Sequence, residues 1–488
     1  MTDLIVKDIV FKSFDIFLNY VWIANLFFII VIVLMEKRNP LYTILWIFIL
    51  TIFPYVGFFV YLFLGMSFTK ERVANRIYKK KHLRARREIL KLEREDLKRW
   101  QGLVTYLDMS SDNSLKLKNK LEAYHEGEFF FESLKKELKE AKNSINMEYF
   151  IFKFDNIGKE IAEILVKKAK EGVEVNLIID GVNNANNKLI RYFKNTGVNL
   201  NLFFRTYIPL FNLRINYRNH RKITIIDSKV AFIGGMNIGD EYLNNSNMGY
   251  WRDTSIKIVG DTVIDLEREF YFILGIIRKT DIKYEKIKYE HHDFIKEITE
   301  ESEDKTFKSM QVVSSGPNYE FRTLRDSFLK LIQGANNSIC IQTPYFVPDD
   351  SLLDALKTAI LSGVDVKIMI PNKGDHLFVY WVNQFYVGEL LKIGATIYRY
   401  EKGFLHSKII IVDNEIVSLG TCNFDYRSFY LNFEINVNIY DKIAAAIFKN
   451  QFYRDINHSK KLELEDFEQR SIYIRIKESI LRLMSPIL

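Results

Sequence analysis

An internal duplication constrains the fold of this chain more than any other feature of its sequence. "AKNSINMEYFIF" at residues 141–152 is followed by an amphipathic stretch and "GVEVNLIID", and "ANNSICIQTPYF" at residues 335–346 is followed by an amphipathic stretch and "GVDVKIMIP". Each copy has the pattern of strand, helix and strand, and its apolar strands suit a buried parallel or mixed sheet. The repeat therefore predicts an α/β fold with two domains of one kind, at residues 115–304 and 305–470 of the 488-residue chain.

A polar motif repeats in register with this duplication. "HRKITIID" begins at His220 and "HSKIIIVD" begins at His406, and each continues to Gly-Gly or Gly-Thr and then to an asparagine, Asn237 or Asn423. The shared pattern is H-x-K-x4-D-x6-G-[GT]-x-N. In a chain with eight histidines, one H-x-K-x4-D match arises by chance with a probability of roughly one in twenty-five. Two extended matches at equivalent positions of a repeat therefore indicate a paired functional site.

The spacing of the motif separates its residues by face. Residues i and i+2 of a strand point to the same side, so His220 and Lys222 are expected to project together. Asp227 comes seven residues after His220 and faces the other way on an unbroken strand, so it is predicted to support the motif rather than to touch a substrate. The glycines permit a turn that brings Asn237 back near the lysine. The second copy repeats the arrangement with His406, Lys408, Asp413 and Asn423.

Two histidines, two lysines and two asparagines in one cleft suit the chemistry of a phosphodiester. Ammonium and amide groups bind the non-bridging oxygens and one neutral imidazole attacks phosphorus to give a phosphohistidine. The other imidazole protonates the leaving oxygen and then activates an alcohol or water. Each histidine also needs a hydrogen-bond partner on its second ring nitrogen. Asp253 and Glu434 follow the asparagines of their repeats, and Asp253 is the expected partner of His220.

The N-terminal region has the pattern of a membrane anchor. Residues 17–35 and 41–68 contain no charged side chain, and a helix of the first length spans about 28 Å, close to the thickness of a hydrocarbon core. The sequence therefore predicts a two-helix transmembrane hairpin at residues 1–69. A secretory signal peptide is the disfavoured alternative, because acidic residues precede the first span and no cleavage site follows it. The basic residues after the hairpin predict that the α/β domains are on the cytoplasmic side.

The net charge of the chain is concentrated next to this anchor. Residues 70–99 hold thirteen basic and five acidic residues, a surplus of eight that equals the formal net charge of +8 of the whole chain. Residues 70–114 are predicted to form a basic juxtamembrane linker helix, which either only fixes the topology or also binds anionic headgroups. The nearly neutral remainder argues against nucleic acid as a partner. The two cysteines, Cys340 and Cys422, are too few for a disulfide framework or a cysteine-based metal site.

The chain resembles the phospholipase D superfamily, whose signature is a duplicated His-Lys-Asp motif. The similarity is strongest to bacterial phospholipase D-type cardiolipin synthases and covers nearly the whole chain, through "NYRNHRKI", "GGMNIGDEY", "WRDTSIKIVG", "TPYFVPD", "GFLHSKIIIVD" and "NFDYRSFYLNFE". The resemblance implies two tandem phospholipase D-like α/β sandwich domains, each a mixed sheet flanked by helices, packed pseudo-symmetrically and preceded by the transmembrane hairpin. It also implies a multi-pass protein of the bacterial cytoplasmic membrane.

The resemblance further implies a phosphatidyltransferase that condenses two phosphatidylglycerol molecules into cardiolipin and glycerol, with no metal, no other cofactor and no obligate protein partner. His220 and His406 would act as nucleophile and general acid/base. The resemblance favours His220 as the nucleophile, and the pseudo-symmetry of the motif leaves the reverse order open. The phosphate would be bound by Lys222, Lys408, Asn237 and Asn423. Two residues depart from the family pattern: Ser255 stands where a histidine is usual, and Asn183 stands where a glycine is common.

The motif chemistry leaves one alternative open, a hydrolase of the same superfamily that acts on phospholipid or nucleic acid with water as the acceptor. A membrane scaffold with a decayed site is disfavoured because both motifs are complete.

Residues 376–391, "HLFVYWVNQFYVGELL", are predicted to form a core helix, with membrane contact as the minority interpretation. Residues 471–488 are predicted to form a C-terminal tail.

Overall fold

The computed structural model describes residues 20–27, 29–30, 40–61, 95–111, 113–182, 187–204, 217–279, 307–483 and 485. The chain divides into two units, Met1–Lys79 and Lys80–Leu488. Three predictions fall outside the described residues. They are the conformation of most of the basic segment at 70–99, the position of Asn183, and the domain boundary at residues 304 and 305.

The N-terminal unit is helical where it is described. Its helical segments are residues 20–27 and 29–30, α1 (Pro40–Ile52) and α2 (Pro54–Val60). The Pro54 carbonyl oxygen accepts a hydrogen bond from Asn25 Nδ2 at 2.5 Å. Among the described residues, no helix is both long enough and apolar enough to cross a membrane. The transmembrane hairpin predicted at residues 1–69 is therefore not confirmed.

The second unit alternates strands and helices along both repeats. Its strands are β1 (Lys116–Tyr124), β2 (Ser144–Tyr149), β3 (Glu174–Asp180), β4 (Asn199–Phe203), β5 (Lys222–Ile226), β6 (Val230–Gly234), β7 (Tyr250–Arg252), β8 (Ser255–Gly260), β9 (Lys308–Ser315), β10 (Ser338–Gln342), β11 (Phe346–Val347), β12 (Asp365–Pro371), β13 (Thr396–Tyr400), β14 (Gly403–Leu405), β15 (Ile409–Val412), β16 (Ile416–Gly420), β17 (Phe424–Asp425), β18 (Glu434–Tyr440) and β19 (Ser459–Lys461). Its helices are α3 (Glu95–Lys98), α4 (Gln101–Ser110), α5 (Gly127–Glu140), α6 (Asn156–Lys170), α7 (Asn187–Phe193), α8 (Thr262–Arg278), α9 (Thr323–Gln333), α10 (Asp350–Leu361), α11 (Leu377–Leu391), α12 (Tyr426–Tyr430), α13 (Lys442–Ile456), α14 (Leu464–Glu468) and α15 (Ile472–Arg482).

The two repeats lie side by side in one mixed sheet. The strand order is β19-β13-β12-β10-β15-β16-β18-β9-β1-β8-β6-β5-β2-β3-β4. In the first repeat β2, β3 and β4 run parallel, and β5 pairs antiparallel with β2. In the second repeat β10, β12 and β13 run parallel, and β15 pairs antiparallel with β10. The predicted α/β fold with a mixed sheet and two repeats is confirmed.

Helices cover the sheet because each buries one apolar stripe. In α6 the buried residues include Ile157, Ile161 and Leu165, which are spaced as on one face of a helix. The Asp155 side chain caps α6 by accepting from the Gly158 N–H at 3.1 Å. The Asp349 side chain caps α10 in the same way in the second repeat, so the duplication extends to the helix caps.

A short parallel strand pair connects the two repeats. β14 of the second repeat pairs with β7 of the first, with Gly403 opposite Tyr250. A Cβ at Gly403 would overlap the Tyr250 carbonyl oxygen, so this close approach requires glycine. On the other side of the pseudo-symmetry, Asn219 forms an isolated bridge with Phe433. The segments that precede β5 and β15 therefore each lie against the opposite repeat.

Candidate active site

The two motif histidines lie just before β5 and β15, where each repeat meets the other. The His220 N–H donates to the Phe433 carbonyl oxygen at 3.0 Å, and the His406 N–H donates to the Arg252 carbonyl oxygen at 2.7 Å. Both histidines are buried, with 8% of each residue exposed. The main chain of each repeat thus fixes the position of the other repeat's histidine.

Each imidazole is held by a carboxylate from the opposite repeat. His220 Nδ1 lies 2.9 Å from Glu434 Oε1, and His406 Nδ1 lies 2.6 Å from Asp253 Oδ2. Both predicted carboxylates contact a histidine, but the expected pairing of Asp253 with His220 is wrong. Spacing along one repeat suggested a partner from that repeat, whereas the packing of the two repeats exchanges the partners. Because the carboxylates occupy Nδ1, Nε2 of each ring is left for chemistry.

The residue after the first glycine of each motif differs according to the carboxylate that lies beside it. Thr421 Oγ1 donates to Glu434 Oε2 at 2.6 Å, and Asn432 Nδ2 donates to Glu434 Oε1 at 3.1 Å. Gly235 occupies the position of Thr421 in the first repeat, and a Cβ there would overlap the Asp253 carboxylate. The Gly-Thr sequence thus supplies a donor to the glutamate, and the Gly-Gly sequence leaves room for the aspartate.

The two motif lysines are buried beside the histidines. Lys222 Nζ donates to the His220 carbonyl oxygen at 2.7 Å, and Lys408 Nζ donates to the His406 carbonyl oxygen. Burial lowers the pKa of Lys222 to about 7 and that of Lys408 to about 8, against the opposing charge of nearby carboxylates. Desolvated ammonium groups of this kind gain most when an anion binds beside them.

The electrostatic environments of the two histidines differ. Burial lowers the pKa of His220 well below its ordinary value, and the lysine ammonium groups lower it further. Burial also lowers the pKa of His406, but Asp253 acts in the opposite direction there. The pKa of both rings is therefore below its ordinary value, further below it for His220 than for His406, so the His406 imidazolium is the one that forms more readily.

Asp227 and Asp413 lie at the far ends of β5 and β15, roughly 16 Å along the strand from the lysines. The Asp227 carboxylate accepts hydrogen bonds of 2.7–2.8 Å from three successive main-chain N–H groups, those of Lys142, Asn143 and Ser144. Asp413 accepts three equivalent hydrogen bonds from Asn336, Asn337 and Ser338. The structure thus places these motif residues away from the cleft, where they hold the loops that lead into β2 and β10.

The motif asparagines are buried but differ in their partners. Asn237 Oδ1 accepts from the Ile151 N–H at 3.2 Å, and its Nδ2 donates to the Tyr242 hydroxyl at 3.1 Å. Asn423 Oδ1 is buried and has no hydrogen-bond partner among the residues that the structure describes. Asn423 therefore has an unused acceptor, whereas both polar atoms of the Asn237 side chain are held by the protein.

Two aromatic rings that the motifs did not predict lie beside the histidines. The Phe150 ring lies 4.7 Å from the His220 ring, and the Trp251 ring lies 5.8 Å from the His406 ring. Phe150 could have been found from its place in the sequence, because it directly follows β2, and β2 is the neighbour of β5 in the sheet.

Ser255, which departs from the family pattern, is buried at the start of β8, where its Oγ accepts from the Met236 N–H at 3.5 Å. Within the described ranges, no group of three or more His, Cys, Asp or Glu side chains is arranged to hold a metal ion.

Comparison with known proteins finds relatives over most of the chain. The family described as "Cardiolipin synthase, PLD-like domain" matches residues 134–260 and 328–456, and the family described as "Phospholipase_D-nuclease N-terminal" matches residues 23–65. A cardiolipin synthase of Clostridium perfringens is 44% identical over 461 residues, which cover 93% of this chain and 95% of that protein. The major cardiolipin synthase ClsA of Bacillus subtilis is 39% identical over 492 residues, which cover 97% of this chain and 99% of that protein.

The fold is also similar to that of a solved structure. The crystal structure of phosphatidylserine synthase from Haemophilus influenzae Rd KW20 matches 81% of this chain and 100% of its own, with a TM-score of 0.59. The two sequences are 15% identical over this match, so the likeness concerns the fold alone.

Proposed function

The chain belongs to the cardiolipin synthase family of phospholipase D-like proteins and is a phosphatidyltransferase, and we propose that it converts two phosphatidylglycerol molecules into cardiolipin and glycerol through a phosphohistidine. The observation that carries this proposal is the pair of imidazoles, each bound through Nδ1 to a carboxylate and each next to a buried lysine. Two such pairs allow nucleophilic attack and proton transfer at one phosphorus. Exchange of one phosphodiester for another is nearly thermoneutral, so no energy-rich donor is needed.

In the first step, His220 Nε2 attacks the phosphorus of one phosphatidylglycerol. The P–O bond to the glycerol headgroup breaks, its electrons leave with the oxygen, and His406 gives that oxygen a proton. The products are phosphatidyl-His220 and glycerol. The environments of the rings support this order of roles, because the pKa of His220 is lowered further than that of His406, where Asp253 opposes the effect of burial.

In the second step, His406 is neutral and takes a proton from a headgroup hydroxyl of the second phosphatidylglycerol. The hydroxyl oxygen attacks phosphorus, the N–P bond breaks, and His220 recovers its electron pair as cardiolipin leaves. Lys222 and Lys408 bind the non-bridging oxygens and stabilise the charge of the five-coordinate transition state. Asn237 and Asn423 complete the site around the phosphate, and the unused acceptor of Asn423 suits a headgroup hydroxyl.

The proposed anchor is the hairpin at residues 1–69, in the bacterial cytoplasmic membrane, with the catalytic unit on the cytoplasmic side. Its support is the absence of charge from residues 17–35 and 41–68 and the basic surplus that follows them. A membrane-impermeant maleimide added to intact cells should label Lys37→Cys and should not label Lys80→Cys. Labelling of Lys80→Cys alone contradicts this topology.

The reaction is tested with purified full-length protein in detergent and phosphatidylglycerol as the only lipid. Thin-layer chromatography should show cardiolipin and glycerol, whereas phosphatidic acid as the main product overturns transfer in favour of hydrolysis. His220→Ala and His406→Ala should each abolish product, and His458→Ala, which replaces an exposed histidine, should not. Trapping and peptide mapping of the phosphohistidine tests the order of roles, and a phosphate on His406 reverses it.

A further inference from the structure

The C-terminal helix α15 packs on α11 with an apolar face turned outward. The segment predicted as a tail thus contains an ordered helix. Five apolar residues at its surface are each more than half exposed: Ile472, Tyr473, Ile476, Ile480 and Leu483. An amphipathic helix of a globular protein ordinarily turns such a face toward the core.

The side of α15 that faces the protein is held by polar contacts as well as by Leu481, which packs against the buried core. Glu478 is buried and pairs with Arg470 through two hydrogen bonds, of 2.5 Å from Nη1 and 3.0 Å from Nη2. Ser471 Oγ caps the helix by accepting from the Ile474 N–H at 3.4 Å. These polar contacts hold α15 in the orientation that leaves its apolar face outside.

Helix α11 extends the apolar area. Phe378, in its first turn, is more than half exposed, and Lys477 Nζ of α15 lies 4.1 Å from the centroid of the Trp381 ring. A groove of about 430 Å³ runs between the two helices and is lined by Phe378, Trp381, Tyr473, Ile476 and Ile480, among others. We call the exposed apolar residues of α11 and α15 the α11–α15 surface.

The charges of α15 itself favour an anionic occupant. Helix α15 carries Arg475, Lys477 and Arg482, and its one acidic residue, Glu478, is already paired with Arg470. Exposed aliphatic and aromatic side chains with basic neighbours are typical of helices that lie in the headgroup region of anionic bilayers. A second copy of this chain would bring like charges together, which opposes self-association through this surface.

The surface begins close to the catalytic cleft. Asp375, two residues before α11, acts to raise the pKa of Lys408 against the larger effect of burial. Asp375 Oδ2 also accepts a hydrogen bond from the Tyr345 hydroxyl at 2.5 Å. Phe378 therefore lies three residues along the chain from Asp375, whose charge acts on Lys408.

We propose that the α11–α15 surface inserts into the headgroup region of an anionic lipid bilayer and holds the catalytic cleft at the membrane that contains its substrate. The contact is additional to the N-terminal anchor. It adopts membrane contact for residues 376–391, which was the minority interpretation of their sequence, and extends that contact to the C-terminal helix. It does not depend on which histidine attacks phosphorus.

Depth-dependent quenching tests the insertion in the full-length protein. A fluorophore on Ile480→Cys, in vesicles that contain phosphatidylglycerol and nitroxide-labelled lipid, should be quenched by the nitroxide and protected from aqueous iodide. Leu361→Cys is the matched control, since Leu361 is an exposed apolar residue of α10 (74%) and should respond to iodide only. The two native cysteines are buried and should not compete for the label. Replacing phosphatidylglycerol by a zwitterionic lipid should weaken the quenching of the label at position 480.

Three results would overturn the proposal. Quenching of the label at position 480 by iodide alone shows a surface that stays in water. Protection from both quenchers shows that protein covers the surface, and disulfide formation between two chains through position 480 shows a second copy there.

An activity measurement separates this proposal from the proposed reaction. The double variant Ile476→Glu/Ile480→Glu should lose roughly tenfold or more activity on phosphatidylglycerol vesicles, because charge opposes insertion of the helix. The same variant should keep its activity on phosphatidylglycerol in detergent micelles, where the lipid is delivered without a bilayer. If the double variant is as active as the wild-type protein on vesicles, the proposal is overturned. If the wild-type protein forms no cardiolipin in micelles, the proposed reaction is overturned instead.

Discussion

At the scale of single residues, the two motif histidines are alike in sequence and differ in what surrounds them. Burial raises the pKa of Glu434 to about 7, so the carboxyl beside His220 is only partly ionised near neutral pH. Burial and Lys408 lower the pKa of His406, and the Asp253 carboxylate opposes this shift without reversing it. A pseudo-symmetric pair of motifs can therefore divide the roles of nucleophile and acid between two identical side chains.

The pH dependence of catalysis tests the crossed pairing. Asp253→Asn removes the charge that favours the His406 imidazolium, so the pKa of His406 should fall. The alkaline limb of kcat, which reports loss of the general acid, should then move to lower pH, and kcat should fall by about 10²–10⁴-fold. Titration of the histidine ring nitrogens by ¹⁵N NMR should show the shift at His406 and none at His220.

Glu434→Gln is the matched variant in the other half of the site. It removes the carboxylate bound to His220. In the same NMR titration, the pKa of His220 should therefore change and the pKa of His406 should stay the same. If Asp253→Asn instead shifts His220 and Glu434→Gln shifts His406, the carboxylates pair within their own repeats and the crossed geometry is wrong.

The sequence grouped side chains that the structure places together, but it did not predict which carboxylate pairs with which histidine. The side on which His220 and Lys222 project follows from the two-residue period of a strand, which is a local property. Each repeat taken alone also contains a carboxylate at a suitable spacing, so nothing local indicates an exchange. The exchange depends on β14 pairing with β7, a contact between segments that are about 150 residues apart in the chain.

At the scale of elements, the β5–β6 and β15–β16 hairpins show what the motif aspartates do. Each turn uses two successive residues with positive φ, Asp227 and Ser228 (53° and 55°) or Asp413 and Asn414 (51° and 54°), as in the two-residue turns that suit twisted hairpins. The sequence predicted that these aspartates face away from the cleft. Their partners were not predictable from spacing, because the three N–H groups belong to a loop 75 to 85 positions earlier in the chain.

Replacement of Asp413 should reduce stability while leaving the chemistry of the folded enzyme intact. Asp413→Ala leaves three N–H groups without their acceptor and removes an ion pair with Arg99, so a loss of about 1–3 kcal/mol is expected. Denaturant unfolding in detergent at pH 7 measures this loss. Asp413→Asn, which keeps an acceptor oxygen, should lose less. A large fall in kcat of the fully folded variant would contradict a purely supporting role.

The same variant should show a defined pH dependence. Burial opposes ionisation of Asp413, but hydrogen bonds from three main-chain N–H groups and Arg99 outweigh it and lower the pKa of this carboxyl. A depressed folded pKa contributes stability that is present above the unfolded pKa and is lost as pH falls through the folded pKa. The difference in unfolding free energy between wild type and Asp413→Ala should therefore be full at pH 7 and should shrink below about pH 4.

At the scale of the whole catalytic unit, duplication produces one site and not two. Each repeat supplies a histidine and a lysine, and each also supplies the carboxylate and the main-chain acceptor that position the other repeat's histidine. The duplication and its sheet could be predicted from apolar patterns because those patterns are local. The seam between the repeats, where β14 pairs with β7, could not, because it joins segments that are far apart in the chain.

The seam itself can be perturbed at Gly403, where an added Cβ would overlap the main chain of Tyr250. Gly403→Ala should therefore separate β14 from β7 and displace His406, whose N–H and Nδ1 are both held by the first repeat. Since a displacement of about 1 Å at a reacting group costs about 10²-fold in rate, kcat should fall by at least that factor. Gly102→Ala is the matched control, because nothing lies within 4 Å of an added Cβ in α4. If Gly403→Ala turns over phosphatidylglycerol as fast as Gly102→Ala, the strand pair at the seam does not set the geometry of His406.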